Sequence, residues 1–303
     1  MERRQIRLGL VGYGEIGNGL GSGLRREGLA QVVAYDAAAF GDPFGELIQS
    51  RALKAGVELV RSPEELAKAS DYLIVAVPGS ECVVAASEYA DHLDAHHIYV
   101  DIGSATPSVK RRVGEVLRNS GAQVSDGGIM GSPLLDGHRI LIKASGPAAD
   151  EFYGALTPWG MRIDVVGPTL GAGSGIKILR SVVMKGMEAL FIECALGSSR
   201  HGIQDEVFES ISAFMDARPF METVQFLLRT DVIHSERRAE EAAMAADALK
   251  EVGIEPIMTR STAHMLRSVS EMRLKERFGG VVPDDYKAAV DAIDRNLGAE
   301  TPA

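Results

Sequence analysis

Short apolar runs alternate with helical-period stretches through the first half of the chain. Ile6, Leu8, Leu10 and Val11 form the first run, and Ile16, Leu20 and Leu24 follow at the spacing of a helix face. Further runs at 31–35, 72–77, 98–102, 124–125, 139–144 and 162–166 predict strands, the last two as an added edge. This alternation predicts an α/β fold with a doubly wound parallel sheet, because parallel strands need crossover helices that cover both faces. After Gly167-Pro168 the strand signals nearly stop. Helical patterns then run at 176–196, 204–215, 221–228, 233–252, 262–277 and 286–296, with Gly253 as a helix stop and Pro283-Asp284 introducing the last. Two domains are therefore expected, 1–167 with the sheet and an all-α domain at 168–303. Gly186, inside the long helix, predicts close packing against another helix or a partner subunit.

Where the first strand gives way to the first helix, Gly12, Gly14 and Gly17 fit GxGxxG. Gly12 permits the tight turn, Gly14 lets the backbone approach a pyrophosphate, and Gly17 allows helix and strand to pack closely. The helix start adds unpaired amides and the positive end of the helix dipole. The second strand delivers Asp36 roughly twenty residues past the turn, where a carboxylate accepts hydrogen bonds from both ribose hydroxyls. Together these predict a Rossmann-type dinucleotide-binding domain, with Gly12, Tyr13, Gly14, Glu15, Ile16 and Asp36 as candidate cofactor contacts. The cofactor is NAD or NADP. NAD is favoured, since a carboxylate repels a 2′-phosphate and no arginine follows in Ala37, Ala38 or Ala39. A turn-capping Asp36, with Arg51 or Lys54 folded back toward a phosphate, is the other reading.

Composition narrows the partners. The 303 residues carry a formal charge of −10, with Lys and Arg dispersed among more numerous acids, which argues against nucleic acid. No segment is long enough to span a bilayer, and the apolar stretch behind the charged start, Met1 to Arg4, is too short for a signal peptide. Cys82 and Cys194 sit far apart in apolar stretches, as reduced thiols do, so a cytoplasmic location is expected. His92, His96 and His97 cluster in a polar stretch, but no cysteine or well-spaced carboxylate set joins them. A solvated loop is expected there, and no metal.

Gly171-Ala172-Gly173-Ser174-Gly175-Ile176-Lys177 reads as a flexible entry to the long helix, with a lysine in the first turn. The helix dipole and local burial both disfavour an ammonium there, so the Lys177 pKa is expected to move down. Such an amine suits a proton shuttle that takes a proton from a substrate hydroxyl as hydride leaves the same carbon. A solvent-facing lysine beside a packing glycine turn fits the same residues.

Several blocks in order resemble the β-hydroxyacid dehydrogenase family, which includes 3-hydroxyisobutyrate and 6-phosphogluconate dehydrogenases. Residues 11–17 resemble its dinucleotide turn, and Val75-Ala76-Val77-Pro78 its strand ending in proline, which places Val77 and Pro78 beside the nicotinamide. Asp101 to Pro107 resembles its DxxTxxP block, whose fourth residue, here Ser104, contacts substrate. Asp126 to Ser132 resembles its DAPVSGG block, implying Met130, Gly131 and Ser132 at the substrate, and Gly171 to Lys177 its block carrying the catalytic lysine. The match covers roughly the first two thirds of the chain. It implies hydride transfer between nicotinamide and a hydroxyacid-like alcohol, with Lys177 as general acid/base and a helical domain that interlocks across a homodimer.

Two departures alter the expected pocket. Met130 stands where the family usually has serine, and Ser181 where it usually has asparagine. Met130 shapes a larger or greasier pocket but cannot bind a carboxylate as a hydroxyl does, while Ser181 still can bond a hydroxyl. Lys177, Ser181, Lys185 and Glu188 recur at helical spacing. Residues 185–190 and 234–238 look similar to a less characterised branch of the family. There His234 with Arg237 and Arg238 offers a clamp for an anionic group, against the plainer reading of a solvated face balanced by Glu236, Glu240 and Glu241. The rivals are an imine reductase of the same architecture, disfavoured by Lys177, and a non-catalytic NAD(H)-binding sensor, favoured by the missing serine and asparagine.

Overall fold

The structure is a computed structural model that describes residues 3–41 and 43–298, so Met1 and Glu2 of the charged start lie outside the described residues. It divides into two compact units, Met1–Val182 and Val183–Ala303.

The first unit carries β1 (Arg7–Val11), α1 (Glu15–Arg26), β2 (Gln31–Tyr35), α2 (Gly45–Ala55), β3 (Glu58–Leu59), α3 (Pro63–Ala69), β4 (Tyr72–Val75), α4 (Cys82–Tyr89) and β5 (Ile98–Asp101). It continues with α5 (Pro107–Val116), β6 (Gln123–Ile129), α6 (Pro133–Asp136), β7 (Leu141–Ser145), α7 (Ala149–Leu156) and β8 (Arg162–Gly167). The strands form one sheet in the order β3-β2-β1-β4-β5-β6-β7-β8. All neighbours pair parallel except β6 and β7, so the last two strands are the added edge. The order reverses between β1 and β4, which opens a crevice beyond the carboxyl ends of the strands.

Strands buried on both faces explain why their sequence reads as continuous apolar runs. In β4 all four residues are buried, with Tyr72 and Ile74 in one core and Leu73 and Val75 in the other. Each such side chain contributes about 1.5–3 kcal/mol on burial.

Three local features differ from the sequence pattern. β3 is a two-residue edge strand, too short to give a periodic signal. β6 runs on to Ile129 through Asp126-Gly127-Gly128, which resembles a turn in sequence. A Cβ on Gly127 would lie 2.8 Å from the Ile142 side chain and 2.9 Å from that of Ile102, so the strand needs glycine for close packing. The long helix α8 (Ala172–His201) begins four residues before the expected Ile176, and the division between units falls inside it rather than at 167/168.

In the second unit the rest of α8 is followed by α9 (Gln204–Asp216), α10 (Phe220–Glu251), α11 (Ile257–Glu271), α12 (Leu274–Arg277) and α13 (Tyr286–Gly298). Val232, Ile233, Val269, Leu274, Ala289 and Ala292 form its core. The two helices expected at 221–228 and 233–252 are one. The polar residues between them have partners within the unit: Arg229 Nε donates to the Pro283 carbonyl at 2.6 Å, and Asp231 faces Arg238 at 3.5 Å. The helix expected at 262–277 is broken, because Arg273 adopts a left-handed φ of 54° between α11 and α12. No helix among the described residues is long and apolar enough to cross a membrane, and both cysteines are free.

Candidate active site

The glycine turn between β1 and α1 meets steric demands that only glycine satisfies. Gly12 has φ 86°, and a Cβ there would lie 2.8 Å from the Ala76 carbonyl oxygen. A Cβ on Gly17 would collide with the Gly12 carbonyl, whereas one on Gly14 would meet nothing within 4 Å, so the backbone at Gly14 is open to a ligand. No side chain caps α1, which leaves its first amides without intrahelical acceptors. At the end of β2, Asp36 Oδ2 accepts from Tyr13 N at 2.7 Å and Oδ1 from Ala38 N at 2.9 Å. The carboxylate therefore does cap the turn, and each oxygen keeps acceptor capacity for a ribose hydroxyl. Gly12, Gly14, Asp36, Val77, Pro78 and Glu81 line a cavity of about 330 Å³ at this crevice. Open backbone, uncapped amides and an acid at the strand end fit a dinucleotide.

Two of the turn candidates have their side chains packed into the fold. Tyr13 is fully buried, its hydroxyl has no partner among the described residues, and burial pushes its pKa up to about 12. Ile16 packs against the core, while Glu15 is exposed in the first turn. Tyr13 and Ile16 thus offer the turn their backbone.

A second group forms where β5 and β6 end. Ser104, exposed in the loop after β5, lies with its Oγ 2.5 Å from Lys177 Nζ. Burial and then the Lys110 charge hold the Lys177 amine below its usual pKa. Lys177 lies in the second turn of α8 rather than the first, where the dipole is weaker, so the shift has its expected direction from a partly different cause.

Residues 172–177 are helix and not a flexible entry, because buried Asp126 fixes the helix start. Its Oδ1 accepts from Gly171 N at 2.7 Å and from the Ser145 hydroxyl; its Oδ2 accepts from Ser174 N at 2.8 Å and Ser174 Oγ at 2.7 Å. A Cβ on Gly128 would collide with the Gly173 carbonyl and lie 3.1 Å from Lys177 Cβ. The glycines therefore let α8 press against the sheet, and that contact delivers the lysine.

The remaining candidates are placed as follows. Met130 is partly exposed just past β6, its amide donating to the Leu141 carbonyl at 2.8 Å. Gly131 and Ser132 form a turn held by Asp136, whose Oδ2 accepts from Ser132 N at 3.0 Å. Ser181 Oγ donates to the Lys177 carbonyl at 3.0 Å and keeps its lone pairs. In the helical unit His234 is exposed, whereas Arg238 is committed to Thr230 Oγ1 at 2.7 Å and to Asp231. Arg237 pairs with Glu241, so the three do not form one clamp.

Sequence reading missed Asp126, which it used only as the start of a block, and the buried pair Asp101–Lys110 beneath Ser104. Only an odd feature, a lysine amid a buried helix face, could have signalled the latter. It also paired no carboxylate with the histidines, yet Asp94, His96 and His97 bring ligand-capable atoms within 4.8 Å of one another. His97 already spends both ring nitrogens on the fold, one near the Ala67 carbonyl at 3.1 Å and one accepting from Asp94 N at 3.0 Å.

Comparison with known proteins extends this picture. Residues 7–165 match the family model of the NAD binding domain of 6-phosphogluconate dehydrogenase, and residues 199–269 match a domain of unknown function (DUF1932). The chain is similar to a conserved protein of unknown function whose structure was reported to resemble 3-hydroxyacid dehydrogenases. The two are 30% identical with a TM-score of 0.60, over 91% of this chain and 100% of that one. An uncharacterized 28.5 kDa protein of Methanothermus fervidus is 24% identical over 88% of this chain and 100% of its own length. A reductive aminase from Aspergillus terreus, solved with NADPH and ethyl levulinate, shares the fold with a TM-score of 0.72 at 18% identity, over 96% of this chain and 100% of that one. The chain therefore belongs to the family defined by the NAD binding domain of 6-phosphogluconate dehydrogenase, here joined to a DUF1932 domain.

Proposed function

We propose that the chain is an NAD-dependent dehydrogenase acting on a hydroxyacid-like alcohol, with Lys177 as its general acid and base. The observation that carries this reading is the Lys177 amine 2.5 Å from Ser104 Oγ, held below its usual pKa beside the strand ends. A nicotinamide bound at the Gly12–Asp36 crevice supplies the hydride acceptor. Neutral Lys177 takes the proton from the substrate hydroxyl as the carbon gives up hydride, and burial of the resulting ammonium favours its release. In the reverse direction the ammonium protonates the developing alkoxide. Ser104 orients the substrate oxygen, Ser181 offers a second hydroxyl, and Gly131 and Ser132 border the pocket. Met130 favours a substrate with an apolar part.

Preference for NAD is supported by Asp36, Glu81 and Glu88, which line the cavity with carboxylates that repel a 2′-phosphate. Self-association through α8 belongs to the same reading, since Leu179 is 70% and Val182 68% exposed. Free buried Cys82 suits a reducing, cytoplasmic setting.

The test is a panel of hydroxyacids, sugar acids, their oxo forms and cyclic imines, followed by nicotinamide absorbance with NAD and NADP side by side. Alcohol oxidation that disappears in Lys177→Ala while NADH still binds supports the proposal. Turnover confined to imines would move the reading to C=N reduction, and binding without turnover to a sensor.

A further inference from the structure

Beneath Ser104 lies an ion pair that the reaction above does not use. Asp101 ends β5, Lys110 sits in α5, and the loop between them carries Ser104. Lys110 Nζ is 2.8 Å from Asp101 Oδ1, and the two side chains are 0% and 1% exposed. The same ammonium donates to the Gly103 carbonyl at 2.6 Å and to the Asp101 carbonyl at 3.3 Å, while Asp101 Oδ1 accepts from Gly103 N at 2.9 Å. The peptides on both sides of Gly103 are thus held by one charged pair. Gly103 itself has no room to shift, since a Cβ there would lie 2.6 Å from Cys82 Sγ and 2.8 Å from the Val77 carbonyl. On the next residue, the Ser104 carbonyl packs so closely on Gly79 that a Cβ on Gly79 would collide with it.

Such a pair is a poor device for stability alone. Two charges removed from water recover little over apolar side chains of similar volume, and here Asp101 Oδ2 has no hydrogen-bond partner among the described residues. What the pair does provide is a fixed orientation for the one peptide that presents the Ser104 hydroxyl.

We propose that the Asp101–Lys110 pair is a positioning device for the reaction, holding the Gly103–Ser104 peptide so that the Ser104 hydroxyl meets the Lys177 amine. This rests on the hydride-transfer reading of the same site. Lys110 acts through Ser104 and through its charge, the one that adds to burial in keeping Lys177 below its usual pKa.

The experiment uses full-length protein in two forms, Lys110→Met and the paired Asp101→Leu/Lys110→Met, which leaves no buried charge behind if the single variant fails to fold. Three readouts are taken: NADH affinity, kcat and KM for the best substrate of the panel, and the pH midpoint of Lys177 acetylation by acetic anhydride, followed by mass spectrometry. The expected result is a fall in kcat of about 10²-fold, the scale of a small misplacement of reacting groups. NADH affinity and KM stay near wild type; in Lys110→Met the Lys177 midpoint moves up because a like charge has gone, and in the paired variant, which loses one charge of each sign, it moves less. A folded variant with wild-type kcat and an unchanged midpoint overturns the proposal, and so does a parallel loss of kcat and NADH binding, which marks a purely structural pair. If no substrate turns over, the hydride-transfer reading fails separately, and the labelling midpoint alone decides whether Lys110 governs Lys177.

Discussion

Asp126 in the sheet unit and Glu193 in the helical unit are both buried carboxylates set against the start of a helix. Asp126 holds the start of α8. Glu193 does the same for α11, accepting from Met258 N at 2.6 Å, Thr259 N at 2.9 Å and Thr259 Oγ1 at 2.7 Å. Their surroundings differ. Around Asp126 the sheet is covered on both faces by its own helices. Around Glu193 the helical unit leaves Leu190, Phe191 and Ile192 exposed and an apolar groove of about 450 Å³ beside Cys194, Val207 and Ile211. One unit completes its core and can hold charged groups in fixed positions. The other leaves an apolar groove open beside its carboxylate, and on the sheet unit the exposed apolar residues, Leu179 and Val182 among them, lie away from Asp126's closed core.

The largest effect that sharpens this contrast is expected at Lys177, the α8 residue proposed as acid and base. Lys177→Ala should lower turnover by about 10²–10⁴-fold, the usual contribution of a positioned acid or base. NADH binding and the urea midpoint should barely move, because a partly exposed amine supports no core. Turnover in the wild type should rise with pH through an inflection below the ordinary lysine range, since the active base is the neutral amine and burial depresses its pKa. Denaturation and steady-state rates over a pH series test both points, and an inflection at the ordinary lysine value would remove the burial argument.

Asp126→Ala comes next. It strands the Gly171 and Ser174 amides and two hydroxyls in a buried site, each orphaned donor costing about 1–3 kcal/mol, so a loss of at least about 3 kcal/mol is expected in urea denaturation. A loss below about 1 kcal/mol would mean that water enters the helix start and that the sheet unit is less closed than its packing implies.

How much of this was legible in the sequence follows from where each signal lives. The strands, the glycine turn and Asp36 were readable because burial on both faces and close backbone approach each demand particular residue types in order. Lys177 was readable for its place in a block, and burial, the larger cause of its lowered pKa, was expected; the Lys110 charge that adds to it was not, because the fold brings Lys110 near from another helix. In the helical unit the break read between 228 and 233 was misleading. Arg229 and Asp231 look like solvated residues until Pro283 and Arg238 arrive as partners from elsewhere in the unit. Local periodicity carries no information about such partners, and the same blindness hid Asp126 inside a strand that looked like a glycine turn.

Glu193→Gln should cost less than Asp126→Ala, about 1–2 kcal/mol, because the amide still accepts one of the bonds. The wild-type contribution should also depend on pH. Burial pushes the Glu193 pKa up, but the Thr259 hydroxyl and the amides of Met258, Thr259 and Ile257 outweigh it and leave the pKa below the usual glutamate range. A carboxylate depressed on folding contributes fully above its unfolded pKa, and the contribution disappears as pH falls through the lower folded value. The gap between wild type and Glu193→Gln should therefore close in acid, and a gap constant with pH would show that α11 does not depend on the charge.

The smallest effect is expected at Asp36, and it concerns ligand alone. Asp36→Asn keeps one acceptor, for the Tyr13 amide, and leaves the partly exposed Ala38 amide to water, so the sheet unit should melt close to wild type. What changes is the field at the ribose. A carboxylate facing a 2′-phosphate in a partly exposed site costs on the order of 1 kcal/mol, since solvent screens the pair. Its removal should raise NADPH affinity relative to NADH by about tenfold or less, read from fluorescence titration of both cofactors. Glu81 and Glu88 still line the cavity in the variant, so the preference should weaken without inverting. A wild type that binds NADPH more tightly than NADH would mean that Asp36 serves the turn rather than the ribose.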